Sequence, residues 1–332
     1  MAVLVDARNV SRFFETRMGT LHAVDGVSFQ IEEGKTLGIV GESGCGKSTL
    51  GRVMLHLLES TSGDIFFDGK NVTHLNKSEL KEFRDQAQMV FQDPYSSLNP
   101  RMTINQLIAE PLKIQGKLSA GQISEKVAEL MKTVGLAERL WNTYPHELDG
   151  GRRQRIGIAK ALAVDPRFIV CDEPVSALDV SIQAQILNLL KDLQEERKLT
   201  YIFITHDLSV VKYISDNIMV MYLGQMVEMG NAKEIFETTV HPYTKALFSA
   251  LPQPNLHNRK ERILLKGELS SPINPRPGCR FASRCIYATE ECAEKTPALK
   301  EYTGNHFVAC HKAEEVNQQE RQGGKGNEES RI

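Results

Sequence analysis

The sequence predicts an α/β fold: a mostly parallel sheet covered on both faces, a helical insert, and a small cysteine-rich C-terminal extension. Three observations predict it. First, short apolar or β-branched runs recur between helical patterns: TLGIV (36–40), AQMVF (87–91), RFIVC (167–171), TYIFIT (200–205) and NIMVMYL (217–223). Each has the length and composition of a strand buried on both faces, and strands that alternate with helices pair in parallel. Second, a long stretch between the second and third runs, roughly 101–164, carries helical patterns near 103–115 and 120–135. Third, after 252 the texture changes to proline, glycine and cysteine, as in LPQPNLHNRKERILLKGELSSPINPRPGCRFASRC.

These shifts divide the chain into a core made of 1–100 and 165–251, a helical subdomain at 101–164, an extension at 252–315 and a tail at 316–332. The tail ends in NQQERQGGKGNEESRI, too polar to bury a core, and is expected to be disordered. A length of 332 residues suits two or three compact units. With 41% hydrophobic and 25% charged residues the composition is that of a soluble globular protein. A net charge of −2 argues against a general nucleic-acid binder. The N-terminus MAVLVDARNV places Asp6 and Arg8 inside its apolar stretch, so it does not read as a signal peptide. No apolar run reaches bilayer length, so any membrane role is expected to work through a partner. A reducing cytosol without structural disulfides is the expected setting.

The stretch GESGCGKST (41–49) matches G-x-x-x-x-G-K-[ST], directly after the strand TLGIV and before an apolar helix. Its glycines, Gly41, Gly44 and Gly46, let backbone N–H groups turn inward around phosphate oxygens. Ser43, Cys45 and Thr49 complete the loop, and the helix N-terminus adds partial positive charge. Lys47 is expected to reach the β- and γ-phosphates and the Ser48 hydroxyl to ligate Mg²⁺. In FIVCDEP (168–174) a strand ends in Asp172, on the metal side of the phosphates, followed by Glu173, placed to take a proton from an attacking water. Two acids at a strand end could also simply cap the next helix. Cys171 within the strand reads as a small buried hydrophobe.

Two further constellations raise questions. In HELDGGRRQRIGIAKAL (146–162) a glycine pair and a basic cluster open an apolar helix, as at an anion site, yet Asp149 places a carboxylate in front of it. Asp is also a preferred helix cap, which leaves a cap-only role open. Near the C-terminus, Cys279, Cys285, Cys292 and Cys310 follow C-x₅-C-x₆-C-x₁₇-C, without the C-x₂-C pairs of zinc ribbons. Four thiolates suit tetrahedral zinc or a [4Fe–4S] cluster, with free thiols as the third reading.

With these motifs in order, residues 1–250 resemble the ATP-binding subunits of ABC transporters, a P-loop NTPase fold with a helical signature subdomain. MVFQDP puts Gln92 at the family's Q-loop, SALD (176–179) stands at its D-loop, and FITHD puts His206 at its switch histidine. Phe14 in NVSRFF matches the aromatic residue that stacks on adenine, with neighbouring Phe13 as the alternative. FQDPYSSLNPRMTI (91–104), AEPL (109–112), VMYLGQMVEMG (220–230), HPYTKALFSALP (241–252), GCRFASRC and FVACH narrow the likeness to the oligopeptide/dipeptide/nickel importer branch.

The resemblance implies an ATPase that powers import, with Mg²⁺ held by Ser48, Gln92 and, indirectly, Asp172. It implies a head-to-tail dimer in which Leu148, Asp149, Gly150, Gly151 and Arg152, in place of the usual Leu-Ser-Gly-Gly-Gln, face the partner's γ-phosphate. Two unit charges about 4 Å apart interact by about 4 kcal/mol at an intermediate dielectric. Asp149 therefore weakens the partner's site, and Arg152, Arg153 and Arg155 offset part of that repulsion. A heterodimer with a second ABC ATPase subunit follows as the expected assembly. It would sit at the cytoplasmic face of the membrane on two transmembrane permease subunits, fed by an extracytoplasmic substrate-binding protein. Peptides are the expected cargo, with nickel or oligosaccharides as alternatives. For the four cysteines the resemblance favours the [4Fe–4S] cluster.

Overall fold

A computed structural model of the chain describes residues 2–93, 97–250, 262–265, 267 and 271–317. All five predicted strands pair side by side and in parallel, in the order β6 (Ala87–Val90), β7 (Phe168–Asp172), β8 (Thr200–Ile204), β3 (Thr36–Val40) and β9 (Asn217–Tyr222). Their side chains alternate as a two-sided sheet requires. Ile169, Cys171, Tyr201 and Phe203 point into one core, and Phe168, Val170, Ile202 and Ile204 into the other. The first core is closed by helices α3 (Ile104–Gln115), α4 (Ala120–Thr133), α5 (Gly150–Leu162) and α6 (Val180–Arg197). Leu107, Leu112, Val127, Leu130 and Ile156 are among the buried residues of that apolar face. None of the described helices is long and apolar enough to cross a membrane.

The second core contains an antiparallel sheet, ordered β2 (Gly19–Glu32), β1 (Val3–Thr16), β4 (Ser62–Phe67) and β5 (Lys70–Asn71). Helix α1 (Lys47–Met54) is packed between it and the parallel sheet through Leu50, Val53 and Met54. Short helices α2 (Lys77–Gln86) and α7 (Leu208–Ile214) flank the strands.

The residues after 252, expected as a small appended domain, do not stand apart from this sheet. Strand β10 (Gln225–Asn231) pairs antiparallel with β9, and β12 (His306–Val308) and β11 (Lys300–Thr303) continue beyond it. They cover an edge that would otherwise expose unpaired backbone groups. The junction is polar yet closed. Glu228 on β10 is fully buried, 2.8 Å from His306 Nε2, and accepts hydrogen bonds from the Val240 and His241 N–H groups. Phe281 wedges between Tyr222 and Tyr243, with ring centroids 5.3 and 5.5 Å away. Two more short helices, α8 (Ala232–Glu237) and α9 (Pro242–Ser249), complete this side. The order seen at the chain's end runs two residues into the expected tail. Val316 is buried and Asn317 accepts a hydrogen bond from Lys245 Nζ at 2.9 Å. The rest of that tail lies outside the described residues.

Candidate nucleotide-binding site

The P-loop joins the carboxyl end of β3 to α1, where the strands beside it, β8 and β9, also end. Ligands of open α/β sheets bind at such a place. The loop lies so close to its neighbours that Gly46 (φ +105) has no space for a side chain: a Cβ there would stand 2.0 Å from the Ala23 carbonyl oxygen. Lys47 is nearly buried, and its Nζ donates to the carbonyls of Gly41 (2.8 Å) and Glu42 (3.0 Å). Folded back in this way, the lysine lies over the concave face of its own loop.

Ser48 Oγ donates to Asp172 Oδ1 at 2.7 Å, so the two oxygens expected to serve one Mg²⁺ lie side by side. Burial pushes the Asp172 carboxyl upward, while the Ser48 hydrogen bond and the positive charges of Arg52 and Lys47 oppose that rise. The residue after it, Glu173, has φ +48, a left-handed backbone that non-glycine residues adopt at some strain. A hydrogen bond from its N–H to the Ile204 carbonyl (2.9 Å) holds it there, turning the side chain away from the path of β7. Its Oε2 accepts from Gln92 Nε2 at 3.0 Å and stands 3.2 Å from His206 Nδ1. One carboxylate thus gathers the three residues assigned to the chemistry. Gln92, expected at the γ-phosphate and Mg²⁺, here binds Glu173 itself.

Phe14, Ser43, Gly44, Gly46, Lys47, Ser48, Thr49, Gln92, Glu173 and His206 line one cleft of about 560 Å³. That volume is in the range of small-molecule sites. Of the two candidate aromatics Phe14 faces the cleft, with the Arg12 guanidinium 4.5 Å from its ring centre, whereas Phe13 packs on the ring of His22 at 4.1 Å. Gly41 and Cys45 shape the loop without lining the cleft; the Cys45 thiol is buried, which pushes its pKa up. Two lining residues escaped the sequence reading, Leu21 and Ala23 of β2. Only the β1/β2 register, in which Leu21 pairs with Phe14, brings Leu21 there, and no local motif encodes it.

Leu148–Arg152 do not line this cleft. Asp149 is the N-cap of α5, its Oδ1 accepting from the Arg152 N–H at 2.8 Å, and its Oδ2 stands 3.5 Å from Arg152 Nε. The cap role is therefore present, and it occupies one of the helix's free N–H donors. Of the three arginines expected to offset the charge, Arg152 meets Asp149. Arg153 donates to the carbonyls of Pro145 and His146, and Arg155 to that of Val134. Gly151 lets α5 approach α6, since a Cβ would stand 2.6 Å from Ile182 Cγ2.

Cys279, Cys285, Cys292 and Cys310 line a second, smaller cavity of about 20 Å³ beside His241 and Phe281. None is in a disulfide. Burial pushes the thiols of Cys279 and Cys310 up to about 11 and that of Cys285 upward as well. Among the described residues no three His, Cys, Asp or Glu side chains are grouped so that they could hold a metal ion. The arrangement supports neither zinc, which needs sulfurs about 2.3 Å from one centre, nor the [4Fe–4S] cluster that the resemblance favours.

Comparison with known proteins agrees with the geometry of the cleft. The sequence model of the ABC transporter family matches residues 24–176, and that of the oligopeptide/dipeptide transporter C-terminal region matches residues 227–292. The oligopeptide transport ATP-binding protein OppF of Haemophilus influenzae is 53% identical over 94% of this chain and 95% of its own length. The dipeptide transport ATP-binding protein DppF of the same organism is 51% identical over 92% of this chain and 96% of its own. Among solved structures, a dimeric ATP-binding cassette bound to ADP and Pi in a post-hydrolysis state is 32% identical. It superposes with a TM-score of 0.64 over 69% of this chain and 99% of that one. The chain is a member of the ABC transporter ATPase family, in the branch of the oligopeptide and dipeptide transport ATP-binding proteins.

Proposed function

We propose that this chain binds and hydrolyses ATP to drive import of oligopeptides or dipeptides. The observation that carries the reading is the extent of the likeness: it runs through both the cassette and the C-terminal region, over nine-tenths of the chain. In the cleft, loop N–H groups and Lys47 hold the phosphates. Ser48 and Gln92, with Asp172 acting indirectly, would hold Mg²⁺, which would supply positive charge to the phosphates. Glu173 accepts the proton of the attacking water, and His206 and Gln92 orient its carboxylate. The chain works at the cytoplasmic face of the membrane on two permease subunits, supplied by an extracytoplasmic binding protein. Vesicles carrying the chain with its permease subunits and binding protein are expected to take up labelled tri- to pentapeptides only when ATP is enclosed. ATP-dependent uptake of nickel or of oligosaccharides, with none of peptides, would reassign the cargo.

The dimer pairs this chain with a second, related ATPase subunit. Asp149 supports this: its carboxylate is half exposed at a helix N-terminus, at the place where a partner's γ-phosphate would dock, with Arg152 beside it. Hydrolysis then belongs to this chain's own P-loop, and the site facing Asp149 turns over slowly.

The four cysteines hold a [4Fe–4S] cluster. Their donor atoms are all sulfur and they line one cavity, the donor set in which a [4Fe–4S] cluster takes one thiolate at each iron. Protein purified without oxygen is expected to contain about four irons and four acid-labile sulfides per chain. Absence of both would defeat the assignment.

A further inference from the structure

The P-loop carries a carboxylate of its own. Glu42, the second residue of GESGCGKST, places a negative charge in a loop whose purpose is to bind a polyanion. Its backbone is fully engaged in the loop. The N–H donates to the buried Tyr243 hydroxyl at 2.9 Å, and the carbonyl accepts from Lys47 Nζ at 3.0 Å. Its side chain is met by Arg284, whose Nη1 donates to Oε2 at 2.9 Å and to Oε1 at 3.1 Å. The Tyr222 hydroxyl lies 3.4 Å from the same nitrogen, and the Arg284 side chain is only 11% exposed. The Glu42 hydrogen bond also raises the guanidinium pKa, so Arg284 is charged at every working pH.

Arg284 comes from outside the cassette, from the segment between Cys279 and Cys285, and lies beyond the residues that match the ABC transporter model. A second arginine of that segment anchors it nearby: Arg280 pairs with Asp25 and donates to the Leu223 carbonyl. Gly224, next to Leu223, in turn binds the Cys45 carbonyl of the P-loop through its N–H at 2.8 Å.

We propose that Arg284 is a positioning residue of the ATP site: it neutralises Glu42 and holds it away from the phosphates, so that the cysteine-bearing segment sets this chain's affinity for ATP. The inference rests on the assignment of the cleft to ATP. Without Arg284 the Glu42 carboxylate loses its cationic partner among the described residues and can turn toward the nucleotide, where it repels the triphosphate.

The test uses the assembled transporter and measures turnover against ATP concentration. Arg284→Gln is expected to raise KM for ATP about tenfold, or about 1.4 kcal/mol, with kcat lowered about twofold at most. Adding Glu42→Gln to that variant returns KM to within about threefold of the parent. Glutamine at 42 cannot rebuild the ion pair, so recovery can come only from removal of the charge. Glu42→Gln alone, which folds with Arg284 in place, lowers KM by a factor of about three because one negative charge leaves the loop that binds the polyanion. An unchanged KM in Arg284→Gln, a loss confined to kcat, no recovery in the double variant, or a higher KM in Glu42→Gln overturns the proposal. Lys47→Ala separates the two readings. If it abolishes ATP binding while Arg284→Gln binds like the parent, the inference fails and the site stands. If Lys47→Ala binds ATP normally, both fail.

Discussion

Glu173→Gln in this subunit alone is expected to lower steady-state ATP hydrolysis by the assembled transporter on the order of 10²- to 10³-fold, the usual worth of a general base. ATP binding should persist, because Lys47, Ser48 and Asp172 are untouched. The amide keeps the shape of the side chain and its contacts with Gln92 and His206, 3.0 and 3.2 Å away, but cannot accept the proton of water. The strained backbone at Glu173 holds the side chain between those two partners whichever residue stands there. Phosphate release and nucleotide binding, measured side by side, separate the two effects. Near-normal turnover would mean that the site facing Asp149 hydrolyses ATP, and the asymmetric heterodimer would be wrong.

Gly46→Ala should abolish ATP binding, with affinity lowered more than about a hundredfold, or about 2.7 kcal/mol. A left-handed φ of +105° already disfavours a side chain, and the new methyl would stand 2.0 Å from the Ala23 carbonyl oxygen. The neighbour is backbone of β2, which is paired with β1 on either side of Ala23, so the loop is expected to move rather than the strand. The P-loop must therefore move off the sheet, carrying Lys47 with it. Gly44→Ala is the informative contrast. Its φ is +78° but nothing lies within 4 Å of the added Cβ, so only backbone strain of about 1–2 kcal/mol remains. Titration with ATP, together with a circular dichroism check of the fold, distinguishes the pair. Comparable affinity in both variants would show that the contact with Ala23 does not govern the loop.

The residues proposed to perform the chemistry were legible because each sits in a short local pattern. Lys47 and Ser48 follow a glycine loop between a strand and a helix, Asp172 and Glu173 end an apolar strand, and His206 ends another. The five parallel strands were legible because they are buried on both faces and so read as unbroken apolar runs. Strands β1 and β2 carry no such run. They are long, antiparallel, half exposed, and interrupted by register shifts that hide any alternation.

By itself the sequence determined the α/β class and the nucleotide chemistry, and it singled out the residues proposed to carry that chemistry, since these depend on spacing along a few turns of chain. Only the tertiary structure decided that Phe14 and not Phe13 faces the cleft, that the chain's end extends the main sheet, and that Asp149 already caps its helix while Arg153 and Arg155 bind elsewhere. Arg284 meets Glu42 across 242 residues of sequence. Such contacts depend on which strand edge a distant segment covers, and pairing between remote segments leaves no periodic trace in either one.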